Sequence, residues 1–395
     1  MLIQPIYTLN QNFAMNVYLD NAATTPIHPE VVKVMSDMML ANFGNPSSTH
    51  AKGREVKTMI EDARRSIAKL LGCTPGEIFF TSGGTEADNM AIRQSVEDLG
   101  VKHIITSPIE HHAVLHTVEE LAKQGRVSMH LVKLTSNGHI DMADLADLLA
   151  KNPNALVTLM HSNNELGNMI DMDEVGNLCK QHQAFFHCDT VQTIGHQPID
   201  VSKTHVHFLA AGAHKFNGPK GVGFIYINNT VKIHPMLTGG AQERNMRGGT
   251  ENVYGIVGMA KALELSVAHM DEDKVRLQEL KNYFIAQLRA HIPGIAFNGD
   301  AEGRSAYTVL NVSFPPSPVG EMLLFKLDIA GICASGGSAC SSGSNIGSHV
   351  LHAIGADKER AAVRFSFGHH NTTQEVDYVV GQLVQMLKPK ESANA

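Results

Sequence analysis

Ala210-Ala-Gly-Ala-His-Lys-Phe-Asn-Gly-Pro-Lys-Gly221 lies between two strand-like runs, His205–Leu209 and Val222–Ile227. The stretch reads as a glycine-rich bend carrying His214 and Lys215. A lysine on a tight bend between buried strands must pair its charge or use its amine. Lysines so placed shift their pKa readily and form Schiff bases. A single lysine is far more often an exposed turn residue, so the surrounding sequence has to supply the other parts of a reactive site.

Upstream, Arg54–Leu71 carries Val56, Met59, Ile60, Ala63, Ile67, Leu70 and Leu71 at helical spacing, with Gly72 as a stop. A strand over Glu77–Thr81 leads to Ser82-Gly-Gly-Thr85. The helix expected next, Glu86–Leu99, has Thr85 at its N-cap. Strand-like Lys102–Thr106, Val127–Lys133, Leu156–Met160 and Ala184–Cys188 then alternate with helical His112–Gln124, Asp141–Ala150 and Asp173–Gln183. The alternation predicts an α/β fold with a largely parallel sheet covered on both faces. Such sheets bind ligands beyond the carboxyl ends of their strands. Those ends are polar here: Ser82-Gly-Gly-Thr85, Glu110-His111-His112, His161-Ser-Asn-Asn-Glu165 and Asp189-Thr-Val-Gln192.

Asn252–His291 reads as a long helical region and marks the domain junction. Beyond it the pattern changes to strands Val309–Phe314, Ile332–Ala334 and Val363–Phe367, with helices Gly320–Ile329, Val350–Ile354 and Thr373–Leu387. That is a smaller α+β unit. The division expected is a large domain over 25–258 and a small domain over 1–24 and 259–395.

The 395 residues exceed one ordinary core, and 43% hydrophobic with 18% charged residues suits a soluble globular protein. A net charge of −7 speaks against nucleic acid or an anionic membrane surface as partner. No apolar run is long enough to span a bilayer. Met1–Ala14 has neither the basic nor the apolar region of a signal peptide, and Met15 stands as an alternative start. Lys388–Ala395 is expected to lie outside the packed fold. The five cysteines are odd in number and show no disulfide framework, which suits the cytoplasm. Cys73, Cys179, Cys188 and Cys333 sit in structured contexts and read as inert thiols. Cys340 lies in Ser335-Gly-Gly-Ser-Ala-Cys-Ser-Ser-Gly-Ser-Asn345, too small and polar to pack, and is the candidate for chemistry.

Ser82-Gly83-Gly84-Thr85 ahead of a helix is an anion cradle built from free amides and the helix dipole. It matches neither GxxxxGK[ST] nor GxGxxG, so a nucleotide is not indicated. His187 and Asp189 share one face of a strand, with Cys188 opposite. A buried acid at a strand end needs a cation, such as a pyridinium nitrogen or, more often, an arginine. Despite 22 histidines, HExxH and zinc spacings are absent, and no metal site is expected. A phosphate cradle, a Schiff-base lysine, an acid for a pyridinium and an aromatic ring cover together describe pyridoxal 5′-phosphate.

At this point the chain, from Val17 to about Leu387, resembles the NifS/IscS-type cysteine desulfurases, class V aminotransferases of pyridoxal-phosphate fold type I. The matching stretches include Tyr18-Leu-Asp-Asn-Ala-Ala-Thr-Thr-Pro26, Phe43-Gly-Asn-Pro-Ser47, Thr81-Ser-Gly-Gly-Thr-Glu86, Glu110-His111, Asn163-Asn-Glu-Leu-Gly167 and His187-Cys-Asp189. They continue with Gly218-Pro-Lys-Gly221, Arg247-Gly-Gly-Thr250, Ser338-Ala-Cys340 and Arg364-Phe-Ser-Phe-Gly368. The resemblance implies a seven-stranded, mostly parallel sheet in the large domain.

It also implies roles. Lys215 would hold the cofactor and move the substrate Cα proton. His111 would stack on the pyridine ring, and Asp189 would keep its nitrogen protonated. Asn164 and Gln192 would lie at the ring hydroxyl, with Asn164 also near substrate. Gly84, Thr85 and His214 would bind the phosphate, and Thr250 would reach the phosphate of a second subunit in a homodimer. Arg364 would clamp the carboxylate of L-cysteine. Cys340 would attack the substrate sulfur, and its only expected metal contact is a transient one with an iron–sulfur cluster. The sulfur would pass to an acceptor protein, either an iron–sulfur scaffold or a tRNA-thiolation relay. The stretch from Cys340 to Val350 has the length of the longer, IscS-like loop, although the chain lacks the longer C-terminal tail with which IscS-type enzymes engage their scaffold. One departure stands out: Gly212-Ala-His-Lys215 replaces the usual Ser-x-His-Lys, so one phosphate-binding hydroxyl is missing and only the Gly212 amide remains. The alternatives are another class V reaction, such as selenocysteine lysis or transamination, and a non-catalytic sulfur-relay scaffold.

Overall fold

A computed structural model describes residues 15–336 and 347–388. The chain opens with β1 (Val17–Tyr18), α1 (Pro29–Ala41) and α2 (Ala51–Leu71). The α/β alternation follows as β2 (Ile78–Thr81), α3 (Gly84–Asp98), β3 (His103–Thr106), α4 (His112–Lys123), β4 (Ser128–Leu131) and α5 (Met142–Lys151). It continues with β5 (Ala155–Met160), α6 (Met172–Gln181), β6 (Phe185–Asp189), β7 (Phe208–Gly212) and β8 (Gly223–Ile227). A single 39-residue helix, α7 (Val253–His291), leads to β9 (Ala296–Phe297), β10 (Val309–Ser313), α8 (Leu323–Ile329) and β11 (Ile332–Cys333). The described chain ends with α9 (His349–Ala353), β12 (Ala362–Ser366) and α10 (Thr373–Leu387).

Seven strands form one sheet in the order β2-β8-β7-β6-β5-β3-β4. From β7 through β6, β5 and β3 to β4 the pairing is parallel; β8 runs antiparallel to both β7 and β2. One face carries Ile105, Val157, Leu159, Phe186, Leu209 and Ala211 into a core shared with α2, α5, α6 and the start of α7. The other face meets α3 and α4 through Phe208, Ala210, Ile104 and Leu156. A second core gathers Val17 and Leu19 with Leu277–Leu288 of α7, β10, β12 and α10. α7 feeds the first core with Val253–Leu263 and the second with its later turns. Residue 258, where the sequence suggested a domain border, therefore lies inside a continuous helix.

The structure differs from the expectation at three points. The strand before the lysine is Phe208–Gly212, not His205–Leu209. His207 stays outside it, its Nδ1 accepting the Phe186 amide at 3.0 Å. Ala210, Ala211 and Gly212 look like a loop but are sheet residues, small because the sheet is crowded there. A Cβ on Gly223, which pairs with Gly212, would lie 2.2 Å from Ala211 O. Secondly, α3 begins at Gly84 with Gly83 as its N-cap, so Thr85 is inside the first turn. Gly83 has φ 155°, at the edge of the region that favours glycine, and this lets the helix start early. Thirdly, α1 and β9 had no counterpart in the sequence reading.

Candidate active site

The carboxyl ends of β2, β5, β6 and β7 and the residues between β3 and α4 surround a cavity of about 240 Å³. Gly84, Thr85, His111, Asn164, Asp189, Gln192, His214, Lys215 and Arg364 all line it, residues that span 281 positions of the chain. Lys215 ends a short 3₁₀ turn, Ala213–Lys215, directly after β7. Its Nζ donates to Ala22 O and, at 2.9 Å, to Ala23 O. Gln192 Nε2 donates to the same Ala22 carbonyl at 3.0 Å.

No side chain caps α3, so its first-turn amides and dipole face the cavity and suit a phosphate. Ser82 N instead donates to Glu86 Oε2 at 2.8 Å, and Arg247 clamps Glu86 with bonds of 2.8 and 3.2 Å. Gly212 stands at the foot of this cradle with ordinary extended backbone, φ −134°. A Cβ there would lie 3.5 Å from Gly84 N, in normal contact, so the place of the missing serine is open.

His111 is the N-cap of α4: its Nδ1 accepts the Ala113 amide at 3.1 Å. That bond places the ring proton on Nε2. Burial, helped by the Lys215 charge, lowers its pKa to about 4, so the ring is neutral at neutral pH. Asp189 ends β6, and its Oδ1 accepts Val191 N at 2.9 Å. Burial raises its carboxyl to about 7. A cation bound beside it would restore its charge. Arg364, on β12 and 1% exposed, donates from Nη1 to Asn164 O at 3.0 Å and from Nη2 to Asp20 Oδ1 at 2.7 Å. Its Nε is buried without a hydrogen-bond partner among the described residues.

Among the described residues, one predicted residue does not join this cluster. Thr250 is exposed and lines a separate cavity of about 160 Å³ beside Thr81 and Ser82. Cys340 lies outside the described residues. Burial pushes the thiols of Cys73 and Cys179 up to about 12 and raises that of Cys188 well above the usual range, which fits inert roles. Among the described residues no group of three ligating side chains could hold a metal ion. The site also contains residues that the sequence reading assigned no part: Asp20, the Ala22 and Ala23 carbonyls, and Asp88. Asp20 sits within the quoted Tyr18–Pro26 motif, where an acid could have been matched with Arg364. Asp88 lies one turn beyond Thr85.

The donor set fits pyridoxal phosphate: an uncapped helix start for the phosphate, a buried acid for a ring nitrogen and a lysine between them. Comparison with known proteins agrees. Residues 17–379 match the class V aminotransferase family model. Cysteine desulfurase IscS of Dictyoglomus turgidum is 44% identical over 376 residues, 94% of either chain. A putative cysteine desulfurase IscS 1 of Bacillus subtilis is 44% identical over 380 residues, 94% of this chain and 98% of the relative. A solved NifS-like protein superposes with a TM-score of 0.87 at 36% identity, covering 94% of this chain and 99% of its own. The chain belongs to the class V aminotransferases, and its fold is the fold type I of that class. Within them it belongs with the NifS/IscS-type cysteine desulfurases.

Proposed function

We infer that the protein is a pyridoxal 5′-phosphate-dependent L-cysteine desulfurase. The observation that carries this reading is one cavity joining Lys215, His111, Asp189 and Arg364 to an uncapped helix start. When bound, the cofactor supplies an electron sink for charge developing at the substrate Cα. The first-turn amides at Gly84 and Thr85, with His214, would hold its phosphate. Asp189 would keep a proton on the pyridine nitrogen, and His111 would cover the ring. Asn164 and Gln192 would serve the ring hydroxyl. Arg364 clamps the substrate carboxylate, with Asn164 beside it, and the Lys215 amine takes the Cα proton.

Cys340 completes the reaction as nucleophile. Its thiolate forms an S–S bond to the substrate sulfur, and the Cβ–S bond breaks with its electron pair left on carbon. Protonation gives L-alanine, and the protein keeps a Cys340 persulfide, so no outside oxidant or reductant is needed. The persulfide sulfur passes to an acceptor protein, an iron–sulfur scaffold or a tRNA-thiolation relay. We place the protein in the cytoplasm, a reading supported by free thiols at Cys73, Cys179, Cys188 and Cys333. No helix among the described residues is long and apolar enough to cross a membrane.

The protein acts as a homodimer in this reading, with Thr250 serving the phosphate of the second subunit. Support comes from Leu40, 87% exposed at the end of α1, and Phe43, 75% exposed just beyond it, which are large apolar side chains left in water. The division into domains 25–258 and 1–24 plus 259–395 is proposed on the two cores, α7 being shared between them.

The test is to supply L-cysteine and measure alanine and persulfide together. Cys340→Ala should keep the visible absorbance of the bound cofactor and release no sulfide. Wild-type sulfide release by that variant would refute the assignment.

A further inference from the structure

Behind Asp189 lies a group of polar side chains that the reaction above does not use. β5 and β6 pair in parallel so that Thr158 stands directly beside His187 and Met160 beside Asp189, all four on the face turned to α3. Thr158 Oγ1 lies 2.8 Å from His187 Nδ1. From α3, Asp88 comes down onto the other side of the ring, with Oδ1 3.4 Å from His187 Nε2. Asp88 and His187 are 1% and 0% exposed. Neither Asp88 Oδ1 nor His187 Nε2 makes a hydrogen bond among the described residues. Two complementary buried atoms therefore face each other. Buried polar atoms are costly to leave unsatisfied, which points to a role for the pair. Asp88 also lines the cofactor cavity, as Asp189 does.

We propose that Asp88, His187 and Thr158 form one buried positioning unit for Asp189. The Nε2–H of His187 is turned to Asp88 Oδ1, and Thr158 fixes the ring from Nδ1. The ring so held forms the flank of Asp189, whose other fixed point is the Val191 amide. Burial raises the carboxyl pKa of Asp88 well above the usual range and lowers that of His187 to about 4. Both shifts favour a neutral pair that adds no second negative charge beside Asp189. This inference rests on the cofactor reading for its purpose, but the pair itself can be detected without cofactor.

The first measurement is a thermal-stability cycle on cofactor-free protein with Asp88→Leu, His187→Leu and the double variant. The double variant should lose clearly less than the sum of the two single losses; additive losses would overturn the pair. The second measurement is cofactor release from the reconstituted protein, followed by visible absorbance. Asp88→Leu should release it about tenfold faster, on the scale of one unsatisfied buried group, and should shift the pH midpoint of the absorbance. Asp88→Asn keeps an oxygen for Nε2–H and should stay within about twofold of wild type. Thr158→Val, a small change if Asp88→Leu fails to fold, should move release and midpoint in the same direction as Asp88→Leu. Wild-type behaviour of both Asp88→Leu and Thr158→Val, or an Asp88→Asn as poor as Asp88→Leu, would overturn the positioning role. A wild-type protein that gains no visible absorbance would defeat the cofactor reading instead, while the stability cycle still decides the pair.

Discussion

Arg364 Nη2 donates to Asp20 Oδ1 at 2.7 Å, joining two residues 344 positions apart across the floor of the site. Asp20 lies just after β1 and bridges to Ser366 of β12, so the first strand of the chain is held beside the strand that carries the arginine. Nη1 is held by Asn164 O, and the guanidinium plane is thereby fixed before substrate arrives. A preset fork needs less ordering to bind a carboxylate.

Asp20→Ala should therefore raise the KM for L-cysteine by about 10- to 100-fold, the range of one charge-assisted hydrogen bond. The kcat should change much less, because Lys215 and Cys340 are untouched. Steady-state alanine formation measures both, and an unchanged KM would remove Asp20 from the account.

Gly212→Ser supplies the hydroxyl that the family resemblance leads one to expect at this position. The added Cβ meets Gly84 N at 3.5 Å, His214 Cδ2 at 3.7 Å and Val191 Cγ1 at 3.8 Å, and the backbone is extended, so nothing has to move. One more donor to the phosphate should strengthen retention of the cofactor by roughly 1–3 kcal/mol. The variant should lose cofactor to a trapping apoenzyme more slowly than wild type. Equal dissociation rates would show that the Gly212 amide already suffices.

Asp189 gives a pH prediction for the cofactor-free protein. Its folded carboxyl is raised to about 7, far above its value in an unfolded chain. Between the two values the folded state binds more protons, so this group's contribution to stability falls as pH rises from about 4 to about 7. Asp189→Asn removes that dependence. The difference in melting temperature, variant minus wild type, should grow across this window and level off above it. Taking the difference cancels the opposite trend of the buried histidines His161 and His207, whose pKa values are lowered to about 4. Added cofactor should shrink the difference in wild type's favour, because a pyridinium restores the carboxylate.

Much of the site could be read from the sequence because a parallel sheet gathers its strand ends at one edge. Ser82–Thr85, Glu110-His111, Asn164 and Asp189–Gln192 each follow a strand that shows its own hydrophobic pattern. Pairings across the chain leave no such local mark. Nothing near Asp88 shows that α3 will set it on His187, and nothing near Asp20 shows that β1 will end beside Arg364. The helix α1 was hidden for a different reason. It buries only Val31 and Met38 fully and leaves Val32, Met39 and Leu40 exposed, so its apolar residues do not trace one face. The strand β7 was displaced by three residues because its small side chains reflect crowding in the sheet rather than a turn.

His111 serves two purposes that substitution can separate. Its Nδ1 caps α4 through the Ala113 amide, and its ring lines the cavity where the cofactor would stack. Losing an N-cap costs about 1 kcal/mol, and asparagine is among the best replacements because its side-chain oxygen accepts the same amide. His111→Ala should therefore lower the melting temperature of the cofactor-free protein, whereas His111→Asn should nearly match wild type. Both variants lack the aromatic ring, so both should release cofactor faster and show altered visible absorbance. A cofactor-free His111→Asn that melts as low as His111→Ala would show that the ring, not the cap, holds the start of α4. Retained wild-type absorbance in both variants would move the ring cover to another residue. The two readouts differ because the cap acts on the backbone of α4 whether or not the cavity is filled, while stacking acts only when it is.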